Sequence, residues 1–166
     1  MLADKHHRTE FASKTESLNE WLRKYSGQNR RGNTAATWVI ADHEYRVVAY
    51  ATLSMTSVDK SDCPPALAKG TPRQVPALLV GRLATDERFE GMGLATQLVL
   101  HILTTALELN ATAACRAVLV NALNVDAYEW WQRFGFEPLD PEDDASLDLY
   151  LLTADIAKTL ELMIPS

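Results

Sequence analysis

A glycine turn, Glu90-Gly91-Met92-Gly93-Leu94-Ala95-Thr96, joins an apolar run of strand length (residues 77–84) to the longest helical pattern in the chain (residues 94–110). Glycine lets the backbone turn tightly and lets a ligand approach it closely. The first amides of a helix have no internal acceptor, and the helix dipole favours an anion beside them. Strand, glycine turn and helix in that order predict a phosphate or pyrophosphate cradle in an α/β fold. Two nucleotide sites are disfavoured. No Gly-Lys-Ser/Thr completes a Walker-type loop. Thr96 stands where a dinucleotide fingerprint has its third small residue, and three predicted strands precede the turn.

The remaining chain reads as a mixed sheet with helices on its faces. Leu18, Trp21, Leu22 and Tyr25 share helical spacing, which predicts a first helix over 17–25 capped by Ser17. Residues 27–32 read as a polar breaker, and residues 37–41 and 47–58 as neighbouring strands. Four prolines in 59–76 predict a long loop. In the long helix Leu94, Leu98, Ile102, Leu103, Ala106 and Leu107 form the expected buried stripe. A short strand over 117–120 comes next, then a helix over 125–134 closed by Gly135. A hairpin over 136–139 and 147–152 flanks an acidic loop, and a terminal helix begins at 153.

One domain of 166 residues is expected, with its core over 11–152 and a C-terminal helix in 153–166. No signal-like or membrane-spanning stretch is visible, and two cysteines without CxxC spacing fit a reducing, cytoplasmic setting. The formal charge of −6 is uneven. Residues 1–31 hold seven Lys/Arg against four Asp/Glu, whereas residues 126–166 hold two against ten. The only basic footprint for a polyanion is Arg23, Lys24, Arg30 and Arg31. His6, His7 and His43 lack metal-ligand spacing, His101 reads as a boundary histidine on the stripe of the long helix, and no GxSxG elbow occurs, so neither a metal site nor a serine nucleophile is expected.

Several segments together resemble the GNAT superfamily of acetyl-CoA-dependent N-acetyltransferases. The family pattern Gln/Arg-x-x-Gly-x-Gly/Ala is similar to Glu90-x-x-Gly93-x-Ala95, with Glu in first place. Asn124-x-x-Ala127 followed by Gly135-Phe136 resembles the family's later segment. Phe11, Leu18-Asn19-x-Trp21-Leu22, Val75-Pro76, Gly81-Arg82-Leu83-Ala84-Thr85-Asp86 and Gly135-Phe136-Glu137-Pro138 resemble the GNAT toxins of bacterial toxin–antitoxin modules.

The resemblance implies a centrally splayed mixed sheet flanked by helices on both faces. It also implies acetyl-CoA as cosubstrate, with pantetheine against backbone groups of Leu83 and Thr85, beside Ala84. Pyrophosphate would lie on the amides of Gly91, Met92, Gly93, Leu94, Ala95 and Thr96, next to Glu90, and Asn124 and Trp131 would touch the cofactor. An amide near Leu83 would polarise the thioester carbonyl. By the toxin likeness the acceptor is aminoacyl-tRNA, met by Arg82, Arg30 and Arg31, and the partners are a ribbon-helix-helix antitoxin and a second copy of the chain.

One departure bears on chemistry. The family's general-acid tyrosine, four residues before the Gly of Gly-Phe, is Trp131 here, and an indole N–H is not an acid. Tyr128 lies on the same helical face as 124 and 131 and is the nearest phenol. Thiolate protonation by Tyr128, protonation by solvent, and a CoA-binding regulatory protein with impaired catalysis stay open. An acetyltransferase for a small amine or peptide is the remaining alternative, since an acidic surface suits a cationic acceptor.

Overall fold

The computed structural model describes residues 1–163. Six strands form one mixed sheet in the order β1-β2-β3-β4-β6-β5. They are β1 Ala36–Ala41, β2 Val47–Asp59, β3 Gln74–Thr85, β4 Ala117–Asn121, β5 Glu137–Pro138 and β6 Asp148–Leu152. The helices are α1 Glu16–Lys24, α2 Ser26–Arg31, α3 Pro65–Ala68, α4 Leu94–Thr112, α5 Val125–Gln132 and α6 Ile156–Met163. The part of the expected terminal helix at 164–166 lies outside the described residues. The chain groups into two compact units, Met1–Ser54 with Val80–His101, and Met55–Leu79 with the chain from Ile102 onward.

In the first unit β1 and β2 pair antiparallel, Ala36 opposite Leu53, with an irregularity at Ile40/Ala41. Asp42 closes their turn, accepting from the amides of Glu44 and Arg46 and from Arg46 Nε. The Arg46 hydrogen bond holds the Asp42 carboxyl down to about 2. Phe11, Trp21, Leu22, Val47, Tyr50 and Ala84 form a buried cluster. The Tyr50 hydroxyl donates to the Leu18 carbonyl at 2.7 Å, so the one polar atom of this buried ring is satisfied. Burial pushes the Tyr50 phenol far above its ordinary pKa.

In the second unit β4 pairs antiparallel with β6, and β5 with β6. Leu67, Val75, Ala77, Ala117, Leu119 and Tyr150 form its cluster. α5 ends at Gln132 with Arg133 as its C-cap, short of the expected 134, and Gly135 follows at φ +89°, where a Cβ would stand 3.2 Å from Thr159 Oγ1. That hydroxyl donates to the Phe134 carbonyl, tying α6 to the end of α5.

Three expectations need correction. Residues 27–32 are no breaker: most of them form α2, and Ser26, fully buried, donates from Oγ to the Leu22 carbonyl at 2.5 Å. The proline-rich segment is not a structureless loop. Pro65 opens α3, where a missing N–H costs nothing, and β3 already begins at Gln74. Pro76 sits inside that strand, its carbonyl accepting from the Arg116 amide at 2.9 Å. The first helix starts one residue earlier than expected, with Thr15 rather than Ser17 at the N-cap.

Candidate active site

The first unit holds the glycine turn. β3 ends at Thr85, and the fully buried Asp86 anchors the backbone on the way into that turn. Its amide donates to the Val48 carbonyl, and its carboxylate accepts from the amides of Ala12 and Arg88 and from Arg88 Nε and Nη2. Burial alone raises the Asp86 pKa, but the Arg88 hydrogen bonds and the two amides outweigh it and hold the carboxyl below its ordinary value. A short 3₁₀ turn, Glu87–Phe89, carries the chain from this anchor to the glycines.

Gly91 and Gly93 have φ of +77° and +79°, a region that side chains rarely adopt, and nothing lies within 4 Å of where their Cβ atoms would stand. Both are exposed, as is Met92. α4 begins at Leu94, so the amides of Leu94, Ala95 and Thr96 belong to its first turn and have no acceptor within the helix. Lys14 Nζ lies 3.0 Å from Glu90 Oε2 and offsets the one carboxylate beside the turn. The arrangement is an uncovered set of backbone donors at the positive end of a 19-residue helix. It can take an anion.

On β3, Gly81 leaves room for Thr52, whose hydroxyl would stand 3.1 Å from any added Cβ. The Arg82 guanidinium lies over the Trp21 ring at 4.2 Å, and Trp21 stacks on Tyr50 with 10° between planes. Arg82 makes no ion pair with Asp86, whose partner is Arg88. Desolvation lowers the Arg82 pKa, yet a guanidinium stays charged. Leu83 and Thr85 are half-buried and Ala84 is buried on the same strand. Of the expected basic footprint, Arg23 pairs with Glu16, Lys24 with Glu20 and Arg30 with Asp4. Arg31 is exposed and has no carboxylate partner among the described residues.

The second unit holds the remaining candidates, all on α5. Asn124 is its N-cap, with Oδ1 accepting from the Ala127 amide at 2.9 Å. Trp131 is 4% exposed and meets Trp130, Phe134 and Phe136 edge-on. Tyr128, half-buried, lines a cleft of about 350 Å³ with Glu129, Asp140, Asp143, Asp144 and Leu147. The structure therefore separates Tyr128 and Trp131 by environment: one sits in an acidic cleft, the other in an aromatic core.

The model of the acetyltransferase (GNAT) family matches residues 4–136. The chain belongs to that family. It is 32% identical over 149 residues to the tRNA-acetylating toxin of Mycobacterium tuberculosis, covering 89% of this chain and 86% of the relative. Among solved structures, a Tyr-to-Phe mutant of KacT shares 27% identity at a TM-score of 0.86, with 95% of each chain covered. AtaT complexed with acetyl-methionyl-tRNAfMet matches in fold at a TM-score of 0.84 and 24% identity, over 97% of this chain and 94% of that one. This acetyltransferase is thus an enzyme of GNAT fold, and no described helix is long and apolar enough to cross a membrane.

Sequence reasoning missed two features of the acetyltransferase. Asp86 was legible only as a possible partner for Arg82, because nothing local distinguishes Arg82 from Arg88 as its counter-ion. Trp21 read as a core residue, which it is, but its outer face also carries Arg82. The spacing of an aromatic 61 positions away from an arginine gives no such signal.

Proposed function

We propose that this acetyltransferase transfers acetyl from acetyl-CoA to the amino group of aminoacyl-tRNA, as the toxin of a toxin–antitoxin pair. The observation that carries the reading is the chain-long likeness to a tRNA-acetylating toxin. The open glycine turn supports the cosubstrate: a pyrophosphate needs uncovered amides and no uncompensated acid beside them, and Gly91, Gly93 and the Lys14–Glu90 pair meet both needs. We read both units as parts of one transferase domain, working in the cytoplasm, where charged tRNA is found and where two free cysteines persist.

In this reading the amides of Gly91–Thr96 hold pyrophosphate, and the backbone of Leu83 and Thr85, beside Ala84, aligns the pantetheine arm. Asn124, whose Nδ2 is not used in its cap, completes the cofactor's surroundings, while Trp131, expected there, is buried among Trp130, Phe134 and Phe136. Acetyl-CoA, when bound, supplies an activated thioester. An amide near Leu83 donates to the carbonyl oxygen as charge develops on it, and positioning of the amine carries much of the acceleration. Tyr128 holds the proton that the departing sulfur needs, since the buried indole of Trp131 has none to give. Arg82, over the Trp21 ring and without a counter-ion among the described residues, meets the anionic acceptor. A ribbon-helix-helix antitoxin and a second copy of the chain are the expected protein partners.

Acetyl-CoA turnover with charged tRNA, uncharged tRNA and simple amines, run side by side, tests this. Acetylation confined to charged tRNA is expected. Turnover on simple amines alone would overturn it in favour of a second reading, a cationic small amine or basic peptide as acceptor. The acidic cleft of Glu129, Asp140, Asp143 and Asp144 favours that reading. Tyr128→Phe is expected to lower kcat about 100-fold; an unchanged kcat moves the proton source to solvent.

A further inference from the structure

The first 31 residues contain more positive charge than they use. Lys5 lies over the Tyr45 ring at 4.8 Å, and Lys14 pairs with Glu90. Arg23, Lys24 and Arg30 take Glu16, Glu20 and Asp4. The fourth carboxylate of the segment, Glu10, shares a cleft with Arg46 and Arg88. Three of the four acids of the segment are paired, the fourth lines a cleft with arginines from elsewhere in the chain, and Arg8 and Arg31 remain without a carboxylate partner among the described residues.

These two guanidiniums flank one point beside Gly27. A Cβ on Gly27 would stand 3.3 Å from Arg8 Nη1 and 3.4 Å from Arg31 Nη1. Gly27 lies within α2 and needs no positive φ, so backbone conformation does not explain a residue that weakens helices. A Cβ there would crowd Arg8 Nη1 and touch Arg31 Nη1. Arg8 is aimed by a 2.7 Å hydrogen bond from Nη1 to the buried Ser26 hydroxyl, which in turn donates to the Leu22 carbonyl. Arg8 also lines a cleft of about 180 Å³ with His6, His7, Thr9 and Arg23. Two like charges brought together without a counter-ion are unfavourable until an anion joins them, and a guanidinium fork matches the oxygens of a phosphate.

We propose that Arg8 and Arg31, converging over Gly27, clamp a backbone phosphate of the RNA acceptor. This rests on the aminoacyl-tRNA reading of the acceptor. It also replaces the expected footprint residue Arg30, which Asp4 neutralises, with Arg8. Gly27 is a positioning residue: it keeps the two forks close enough to share one phosphate.

The test measures binding of charged bulk tRNA and of an acceptor-stem RNA minihelix across salt concentrations, with acetyl-CoA affinity and melting temperature as folding controls. Arg8→Gln and Arg31→Gln are each expected to weaken RNA binding about 5-fold or more and to reduce the slope of log K against log salt by about one. Arg31, exposed and without a structural bond, keeps the test open should Arg8→Gln unfold the corner. Gly27→Ala is expected to weaken RNA binding a few-fold while leaving the salt slope nearer to that of the parent. Unchanged RNA affinity and slope in both arginine variants would overturn the clamp. So would loss of binding to an acidic partner protein with RNA binding intact. Failure of the parent protein to bind or acetylate charged tRNA at low salt is a different result, and it would overturn the acceptor reading itself.

Discussion

Fully buried, Asp86 accepts four hydrogen bonds from Ala12 and Arg88 and donates its amide to the Val48 carbonyl, and so joins the N-terminal segment, β2 and the approach to the glycine turn. Its folded pKa is depressed, so its stabilisation is present above the unfolded value of about 4 and is lost as pH falls through the folded value. Asp86→Asn keeps the shape but loses the charge that Arg88 and the amides face. It is expected to cost about 2 kcal/mol or more, or about 4–8 °C in Tm near neutral pH, with the gap to the parent narrowing below pH 4. Thermal unfolding at pH 7 and pH 3 checks this. Glu90 works in the opposite sense, as a carboxylate beside the proposed pyrophosphate cradle. Glu90→Gln is expected to tighten acetyl-CoA binding about 2- to 5-fold, and Lys14→Ala to weaken it by a similar factor, both effects fading at high salt. Titration calorimetry at two ionic strengths reads both.

Two glycines flank helices for different reasons, and the contrast is measurable. Gly93 precedes α4 with positive φ and open space around it, whereas Gly135 lies in the turn after α5 with positive φ against Thr159. Alanine at either position carries backbone strain of about 1–2 kcal/mol. Gly135→Ala is expected to destabilise more, since its Cβ also crowds a hydroxyl that holds α6, while sparing acetyl-CoA affinity. Gly93→Ala is expected to weaken acetyl-CoA binding about 10-fold with the smaller change in Tm. Element by element, α4 was legible because a 3.6-residue period repeats over its length, and Leu98, Ile102, Leu103 and Ala106 are indeed buried; Leu94 and Leu107 at the ends of the stripe are only half-buried. α2 was not legible, since Gly27 and its polar neighbours carry breaker chemistry and the helix is held by Ser26 and by contacts made elsewhere in the chain.

For the whole molecule, charge sets how fast a polyanion arrives. Net charge of −6 opposes RNA encounter, and the last 41 residues, with two Lys/Arg against ten Asp/Glu, outweigh a net positive remainder. Replacing Asp140, Asp143 and Asp144 by Asn halves that net charge while preserving their turns, in which Asp140 and Asp143 accept from the amides of Glu142 and Ala145. The association rate with tRNA is expected to rise about 2- to 5-fold at low ionic strength, with little change in the dissociation rate, and stopped-flow binding at two salt concentrations separates the two.

Local pattern alone determined the order of strands and helices around the glycine turn, the buried stripe of α4, the split of charge along the chain and the motifs of an acetyltransferase. Each of these depends on neighbours within one or two helical turns, which a chain displays whether folded or not. Tertiary structure alone decided which charges cancel: Asp86 takes Arg88 and leaves Arg82 on Trp21, while Asp4 takes Arg30 and leaves Arg8 beside Arg31. Asp4 and Arg30 stand 26 positions apart, and Asp86, a near neighbour of Arg88, is buried against the Ala12 amide 74 positions away, so the separation and the water removed that set each attraction come into being only on packing.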